Sequence, residues 1–251
     1  MKIFCLLHDR KENQGFRTYY QNNAEMFKKM NSDGWGVYFA VNDFDATQEE
    51  MLKEGVKTKR NICFLKKLNF IYADLDIAKK GDGTTREEKQ KRKEILINSL
   101  REKCIPTVVI ETSNGIQPLW QIKCDSVDIE TQKQYTNVIN GIREWSKTSG
   151  SAGDQVKDAT RILRMPGYYH MKEETFMVRT LFRTNNSYTL DDLSKIFPYQ
   201  AKIAEKKEIT IDDSKTNEVF QAIDRIDFKD LIIRAFASVG RSASFDKENR
   251  L

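Results

Sequence analysis

The chain has 251 residues, of which 39% are hydrophobic and 31% are charged, and its formal net charge is +5. That length suits one large domain or one domain with a short appendage, and the composition is too apolar for a wholly disordered chain. No apolar run is as long as a membrane span, and no small-residue cleavage site follows the apolar residues 3–7, so we expect a cytoplasmic protein with no membrane partner.

The first part of the chain combines predicted strands with one helix. Residues 3–7 and 36–41 are apolar and aromatic-rich, as in strands, and residues 19–30 have helical spacing. An apolar segment at 61–65 precedes a β-rich run at 68–74. This run ends in acidic residues, as expected of a central strand that carries a site at its tip.

Two long helices are predicted in the middle of the chain. Thr85 and Glu88 have capping-box spacing, which predicts a helix that continues to about Cys104. Its inward residues would be Ile95, Leu96 and Leu100. The second helix spans about 130–147, and its apolar face carries Tyr135, Val138, Ile139, Ile142 and Trp145.

The remaining segments complete an α+β fold. Residues 106–110 and 119–122 predict a hairpin, residues 150–153 a flexible link, and residues 176–182 a further strand. We expect antiparallel strands with two long helices on one face. The expected domains are a main domain at 1–200, a polar linker at 201–217 and a helical segment at 218–251 that would begin a further domain in a longer protein.

The run Ile71-Tyr72-Ala73-Asp74-Leu75-Asp76 places two acids two residues apart. Such residues point to the same side of a strand, so Asp74 and Asp76 would present neighbouring carboxylates. A divalent cation relieves their repulsion, and oxygen ligands suit Mg²⁺ or Mn²⁺. The pattern is shared by polymerases, nucleases and sugar transferases. Two exposed aspartates that only close a strand are the alternative.

A second segment, residues 111–120, has polar groups suited to phosphate. Its small-residue turn leaves backbone N–H groups free, and Ser113 and Gln117 add side-chain donors. An ordinary hairpin turn is the alternative interpretation.

A third segment, residues 154–172, places acids before bases. Its acids are Asp154 and Asp158, and its bases are Arg161, Arg164, His170 and Lys172. The acids suit a metal site and the bases suit a triphosphate, whereas a structural salt-bridge network would use the same residues. Arg161 and Arg164 would share a face in a helix, and His170 and Lys172 would share a face in a strand.

In this order, the three segments resemble the motifs of the archaeo-eukaryotic primase superfamily, in particular its plasmid and phage replication members. Asp74 and Asp76 match the first motif, residues 113–117 the second and residues 154–172 the third. Residues 34–42 are similar to the strand before the catalytic motif in plasmid and phage relatives. The resemblance covers about residues 34–182 and implies an RRM-like primase catalytic core within the main domain.

The resemblance implies a template-directed DNA primase-polymerase that joins NTPs or dNTPs to a 3′-hydroxyl with two Mg²⁺ or Mn²⁺ ions. Catalysis and metal binding would fall to Asp74, Asp76 and Asp154, with Asp158 as a further candidate ligand. The implied nucleotide-binding residues are Ser113, Gly115, Gln117, Arg161, Arg164, His170 and Lys172. The order of acids in the family favours Asp154 as the third ligand, and Asp158 would then orient Arg161 or support the metal ligands without binding the ion itself.

One position departs from the family pattern. The family usually has His where this chain has Gln117, and Gln can donate a hydrogen bond but carries no charge. Triphosphate binding would therefore depend more on Arg164, His170 and Lys172.

The expected partners are a single-stranded DNA template, a primer, nucleoside triphosphates and a helicase module on the same polypeptide. Basic residues on the helix predicted to begin after Thr85 would follow the template backbone, unless they only form a solvated face: Arg86, Lys89, Arg92 and Lys93. Tyr19, Tyr20 and Trp35 are candidates for stacking on bases or for core packing. The four cysteines form no CxxC pair, so we predict no zinc site.

Three other functions stay open at this point. A non-catalytic DNA-binding replication initiator would keep the fold and the basic face, but it has no need of Asp74 and Asp76. A metal-dependent nuclease would use the same carboxylates, but it has less need of a triphosphate grip. A sugar transferase would not require the third segment.

Overall fold

The computed structural model describes residues 2–9, 15–78, 83–153, 158–172 and 175–200. The predicted linker at 201–217, the predicted helical segment at 218–251 and Asp154 lie outside the described residues. None of the helices within these ranges is long and apolar enough to cross a membrane.

The described residues form strands and five α-helices. The helices are α1 (Ala24–Ser32), α2 (Gln48–Lys53), α3 (Arg86–Lys103), α4 (Ile129–Thr148) and α5 (Leu190–Ile196). The strands are β1 (Phe4–His8), β2 (Phe16–Tyr19), β3 (Trp35–Ala40), β4 (Asp43–Phe44), β5 (Leu65–Lys67), β6 (Phe70–Tyr72), β7 (Leu75–Asp76), β8 (Val108–Glu111), β9 (Gly115–Gln121), β10 (Ala152–Gly153), β11 (Ile162–Arg164), β12 (Tyr169–His170), β13 (Phe176–Met177) and β14 (Arg179–Arg183).

Most strands belong to two sheets. The first sheet has the order β11-β3-β1-β2, and the second has the order β10-β7-β9-β8-β14, with β6 also paired to β9. Every pairing between these strands is antiparallel. The predicted α+β fold with antiparallel strands is confirmed, and so is the hairpin of β8 and β9, which pairs Val108 with Leu119.

The two long helices cover the second sheet, as predicted. A capping box between Thr85 and Glu88 begins α3, and Leu96 and Leu100 are buried in the main core with Trp120 of β9. The expectation that Ile95 points inward is wrong, since 54% of it is exposed. Adjacent residues on a helix are rotated by about 100° around its axis, so Ile95 points away from the sheet when Leu96 faces it.

The apolar face of α4 is confirmed. Tyr135, Val138, Ile139 and Ile142 are buried in the main core, and Trp145 packs against it in part. Trp145 of α4 and Trp120 of β9 both contact the Phe197 ring, and Lys103 at the end of α3 lies over the same ring, so the two helices lie on the same side of the second sheet.

Helix α1 covers the outer face of the first sheet. Phe27 of α1 packs with Phe4, Leu6 and Val37 in a smaller cluster. The helix predicted to start at residue 19 instead starts at Ala24, because Asn23 caps it and Tyr19 ends strand β2. Aromatic side chains suit an edge strand as well as a helix, and pairing with β1 decides between them.

Three other segments have structures that the sequence did not predict. The expected link at 150–153 contains β10, whose Ala152 and Gly153 pair with β7. The segment at 61–65 is a 3-10 turn at Ile62–Phe64 followed by β5. Arg161 and Arg164 flank and end strand β11 rather than lying on a helix.

Candidate functional site

A cleft of about 770 Å³ lies between the two sheets. Directly paired residues of antiparallel strands point to the same side, so Leu7, Phe16 and Tyr38 line its wall on the first sheet. The opposite wall comes from the second sheet. Among the predicted site residues, those that line the cleft are Asp74, Asp76, Ser113, Gln117, Arg161, Arg164, His170 and Lys172.

Strand pairing fixes the position of the acid pair. Asp76 in β7 lies opposite Gly115 in β9, and a Cβ atom at Gly115 would lie 2.1 Å from the carbonyl oxygen of Leu75. Only glycine permits this approach of two backbones. The Ser151 hydroxyl adds a hydrogen bond of 3.1 Å to the carbonyl oxygen of Asp76. Gly115 therefore has a packing role beside the acid pair, and it is not among the residues that line the cleft.

The Asp74 carboxylate is held at both oxygens. Gln117 Nε2 donates to Oδ1 at 3.1 Å, and Arg161 Nη2 pairs with Oδ2 at 3.0 Å. The side chain of Asp74 is 20% exposed, and Asp76 is exposed in the cleft. Each carboxylate oxygen has two acceptor positions, so the pair retains ligand capacity for a hard divalent cation.

The outcomes for the other two acids differ. Asp158 is exposed and does not line the cleft; its carboxylate accepts hydrogen bonds from the backbone N–H and the hydroxyl of Thr160. The Arg161 guanidinium pairs with Asp74 rather than with Asp158. Asp154 lies outside the described residues. Within the described ranges, no group of three or more His, Cys, Asp or Glu residues is placed to hold a metal ion.

A buried network connects the acid pair with the first sheet. The Oε1 atom of Gln117 accepts a hydrogen bond of 3.2 Å from the backbone N–H of Arg164. Arg164 Nη2 pairs with Asp9 Oδ1 at 3.0 Å, and the two side chains are 7% and 0% exposed. Asp9 also accepts a hydrogen bond of 2.9 Å from the backbone N–H of Met171. Asp9 therefore fixes both Arg164 and the segment that carries His170 and Lys172.

Tyr38 supports the same arginine. The Arg164 guanidinium carbon lies 4.8 Å from the centre of the Tyr38 ring, a cation–π contact. Burial raises the pKa of Tyr38 to about 12. The phenol is therefore neutral near pH 7 and adds no charge to the cleft.

The phosphate-binding candidates lie around the turn between β8 and β9. Ser113 Oγ and His170 Nδ1 are 2.8 Å apart and share a hydrogen bond. Lys172 is exposed and also lines the cleft. The structure thus brings together the second and third segments of the sequence, which are 57 residues apart at this contact.

The basic residues of α3 divide into two kinds. Arg86 and Lys89 line a smaller cleft of about 390 Å³, which shares Ser113 and Asn114 with the main cleft. Lys89 Nζ donates to Asn114 Oδ1 at 3.0 Å. By contrast, Lys93 is 3% exposed and pairs at 3.0 Å with Glu111.

Arg92 and Lys93 also make contacts within the protein. Arg92 is exposed, and its Nη1 donates to the carbonyl oxygen of Ile77 at 3.2 Å. Burial lowers the pKa of Lys93, and the neighbouring Glu111 opposes that shift. The hydrogen bond from Arg92 to Ile77 and the ion pair between Lys93 and Glu111 hold α3 against the second sheet.

Several residues that line the cleft were not among the predicted site residues, and Asp9, Phe16 and Arg60 are three of them. Asp9 directly follows β1, and an acid after an apolar strand was the available signal. No signal singled out Phe16 or Arg60. Of the predicted stacking candidates, Tyr19 and Trp35 pack in the smaller core cluster and Tyr20 packs against the main core.

The fold of the chain is similar to that of a solved protein domain. A solved structure, the archaeo-eukaryotic primase domain of the cyanophage S-2L primase-polymerase, aligns with a TM-score of 0.55 and 13% identity, over 78% of this chain and 89% of that chain. The chain therefore has the fold of an archaeo-eukaryotic primase catalytic domain. The resemblance inferred from the motifs is confirmed at the level of the fold.

Three other comparisons leave this conclusion about the fold unchanged. No family model matches the chain. The catalytic domain of primase RepB′ in complex with initiator DNA aligns with a TM-score of 0.48 and 12% identity, over 89% of each chain. A "Replication protein" of Clostridium perfringens is 26% identical over 197 residues, which are 78% of this chain and 44% of that protein. The chain thus spans less than half the length of this curated relative.

Proposed function

We propose that the chain is a template-directed DNA primase-polymerase of plasmid, phage or mobile-element replication. It would transfer a nucleotide from an NTP or dNTP to a 3′-hydroxyl in the cytoplasm. The observation that carries this proposal is one cleft that contains the paired carboxylates Asp74 and Asp76 together with Ser113, His170 and Lys172. Nucleotidyl transfer requires both sets, whereas a nuclease requires only the carboxylates and a non-catalytic initiator requires neither.

Asp74 and Asp76 fit two divalent cations, Mg²⁺ or Mn²⁺, with Asp154 proposed as the third ligand. When bound, such ions activate an attacking hydroxyl and stabilise the charge on the departing pyrophosphate. The protein orients the carboxylate that receives them, because Gln117 and Arg161 hold the two oxygens of Asp74. That arrangement costs no reorganisation when the substrate arrives.

Ser113, His170 and Lys172 would bind the triphosphate. Lys172 supplies a positive charge, and the hydrogen bond between Ser113 and His170 fixes the orientation of the imidazole ring. These groups would stabilise negative charge as it moves to the leaving group. We propose positioning roles for Gln117 and Arg164, because both are buried and already bonded within the protein.

Arg86, Lys89 and Arg92 would contact the phosphates of a single-stranded template, with Lys93 anchoring the helix that carries them. Arg86 and Arg92 are exposed, and Lys89 is half-buried at the smaller cleft. A helicase module on the same polypeptide remains part of the proposal.

The test is incorporation of labelled nucleotides on a single-stranded template with Mg²⁺ or Mn²⁺, with and without a primer. We expect metal-dependent products from the wild type and their loss in Asp74→Ala and Asp76→Ala. Asp125→Ala, at an exposed acid outside the cleft, should keep full activity. Products made without a primer would identify a primase.

Other outcomes separate the alternatives. A folded wild type that binds DNA but incorporates nothing would favour the initiator. Metal-dependent shortening of the template, lost in Asp74→Ala, would favour the nuclease.

A further inference from the structure

Phe16 is a large apolar side chain that the fold leaves exposed in the main cleft. It begins β2, which is an edge strand of the first sheet, and 49% of it is exposed. Its pairing with Leu7 directs its ring to the cleft side. The next residue, Arg17, points to the opposite side, where its guanidinium lies over the Trp35 ring at 4.8 Å.

Arg60 supports the Phe16 ring from one face. The guanidinium carbon of Arg60 lies over the ring, 5.7 Å from its centre. Arg60 Nη1 donates to the carbonyl oxygen of Thr160 at 2.7 Å, which fixes the guanidinium. Its Nε is buried and has no hydrogen-bond partner within the described part of the chain. A fixed cation on one face leaves the rest of the ring surface open to the cleft.

The first-sheet wall of the cleft contains the apolar residues Leu7, Phe16 and Ile162 beside the cations of Arg60 and Arg164. Asp74, Ser113 and Lys172 line other parts of the cleft. A nucleoside triphosphate needs both kinds of surface, because it has charged phosphates at one end and a flat, weakly polar base at the other.

We propose that Phe16, supported by Arg60, stacks on the base of the nucleotide whose triphosphate binds at Ser113, His170 and Lys172. This inference rests on the proposed function. Every base has a π-face, so stacking on an aromatic ring is tolerant of base identity, and a neighbouring arginine adds a cation–π contribution. Phe16 is therefore an affinity-determining residue for all four nucleotides.

The experiment measures nucleotide binding without catalysis. The fluorescence of 2-aminopurine deoxynucleoside triphosphate is followed on titration with the full chain in Mg²⁺, and inorganic tripolyphosphate is used as a competitor. The variants are Phe16→Ala, Phe16→Leu and Phe16→Trp. Leu52→Ala is the control, because Leu52 is 72% exposed and lies outside the cleft.

We expect Phe16→Ala and Phe16→Leu to weaken nucleotide binding about 5- to 150-fold, the range for one lost base–aromatic stack. Tripolyphosphate affinity should stay within about twofold of the wild type, since the phosphate groups bind elsewhere in the cleft. Phe16→Trp keeps an aromatic ring, so it should bind the nucleotide as the wild type does and show the fluorescence quenching that stacking causes. Circular dichroism of each variant confirms that it is folded.

Nucleotide binding by Phe16→Ala or Phe16→Leu that equals the wild type would overturn the stacking role and leave the proposed function intact. Equal weakening of nucleotide and tripolyphosphate would also overturn it, because the effect would then lie in the phosphate site. A wild type that binds neither molecule would overturn the proposed function itself.

Discussion

Replacement of Asp9 by alanine should destabilise the protein more than any change to an exposed ion pair. Asp9 is fully buried and accepts hydrogen bonds from Arg164 and from the backbone N–H of Met171. Its removal leaves the buried guanidinium of Arg164 without its counter-charge. Breaking a buried pair in this way costs about 3–5 kcal/mol, a large fraction of the roughly 5–15 kcal/mol that stabilises a typical domain.

Equilibrium unfolding in urea checks this magnitude. With a slope of about 2 kcal/mol per molar urea, a loss of about 4 kcal/mol lowers the midpoint by about 2 M. The double variant Asp9→Ala/Arg164→Met should lose less than the sum of its single variants, because it no longer buries a lone charge. Glu130→Ala, which breaks the exposed pair with Lys133, should cost less than about 1 kcal/mol.

The reasoning is refuted if Asp9→Ala stays within about 1 kcal/mol of the wild type. Simple additivity in the double variant would also refute it, since that result would mean that the two side chains do not interact.

Two further predictions concern the acid pair and the basic helix. Gly115→Ala should destabilise the domain by about 1–3 kcal/mol and reduce nucleotide incorporation, because the added methyl group would displace the β7 backbone; unchanged unfolding and activity would contradict the close approach. Arg86→Ala with Lys89→Ala should weaken single-stranded DNA binding and reduce the slope of log K against log salt by about 1.4. The control variant Lys133→Ala with Lys147→Ala, at exposed lysines of α4, should leave that slope unchanged. Equal reductions of the slope in the two double variants would show that DNA does not bind preferentially at α3.

Local signals in the sequence predicted the elements whose stability is local. The capping box at Thr85 predicted the start of α3, and the apolar stripe around Tyr135 predicted α4. The pairing of Asp74 and Asp76 in one cleft followed from the two-residue period of strands. In each case the relevant residues lie within a few positions of one another.

Contacts between distant residues were not predictable in this way. The pairing of Asp9 with Arg164 joins residues 155 positions apart, and no periodicity relates them. Arg161 and Arg164 have helical spacing, but pairing with β3 makes the segment a strand. Phe16 lies on the edge strand β2 and faces the cleft, and both facts depend on the order and pairing of strands in the sheet.

The contact between Asp9 and Arg164 has a consequence for synthesis on the ribosome. At about 5–20 residues per second, the 155 positions between the two residues take about 8–31 s to translate. During that interval β1 can pair with β2 and β3, whereas the place of β11 beside β3 is still empty. The carboxylate of Asp9 stays hydrated until its arginine emerges, so the cleft is among the last parts of the nascent domain to form.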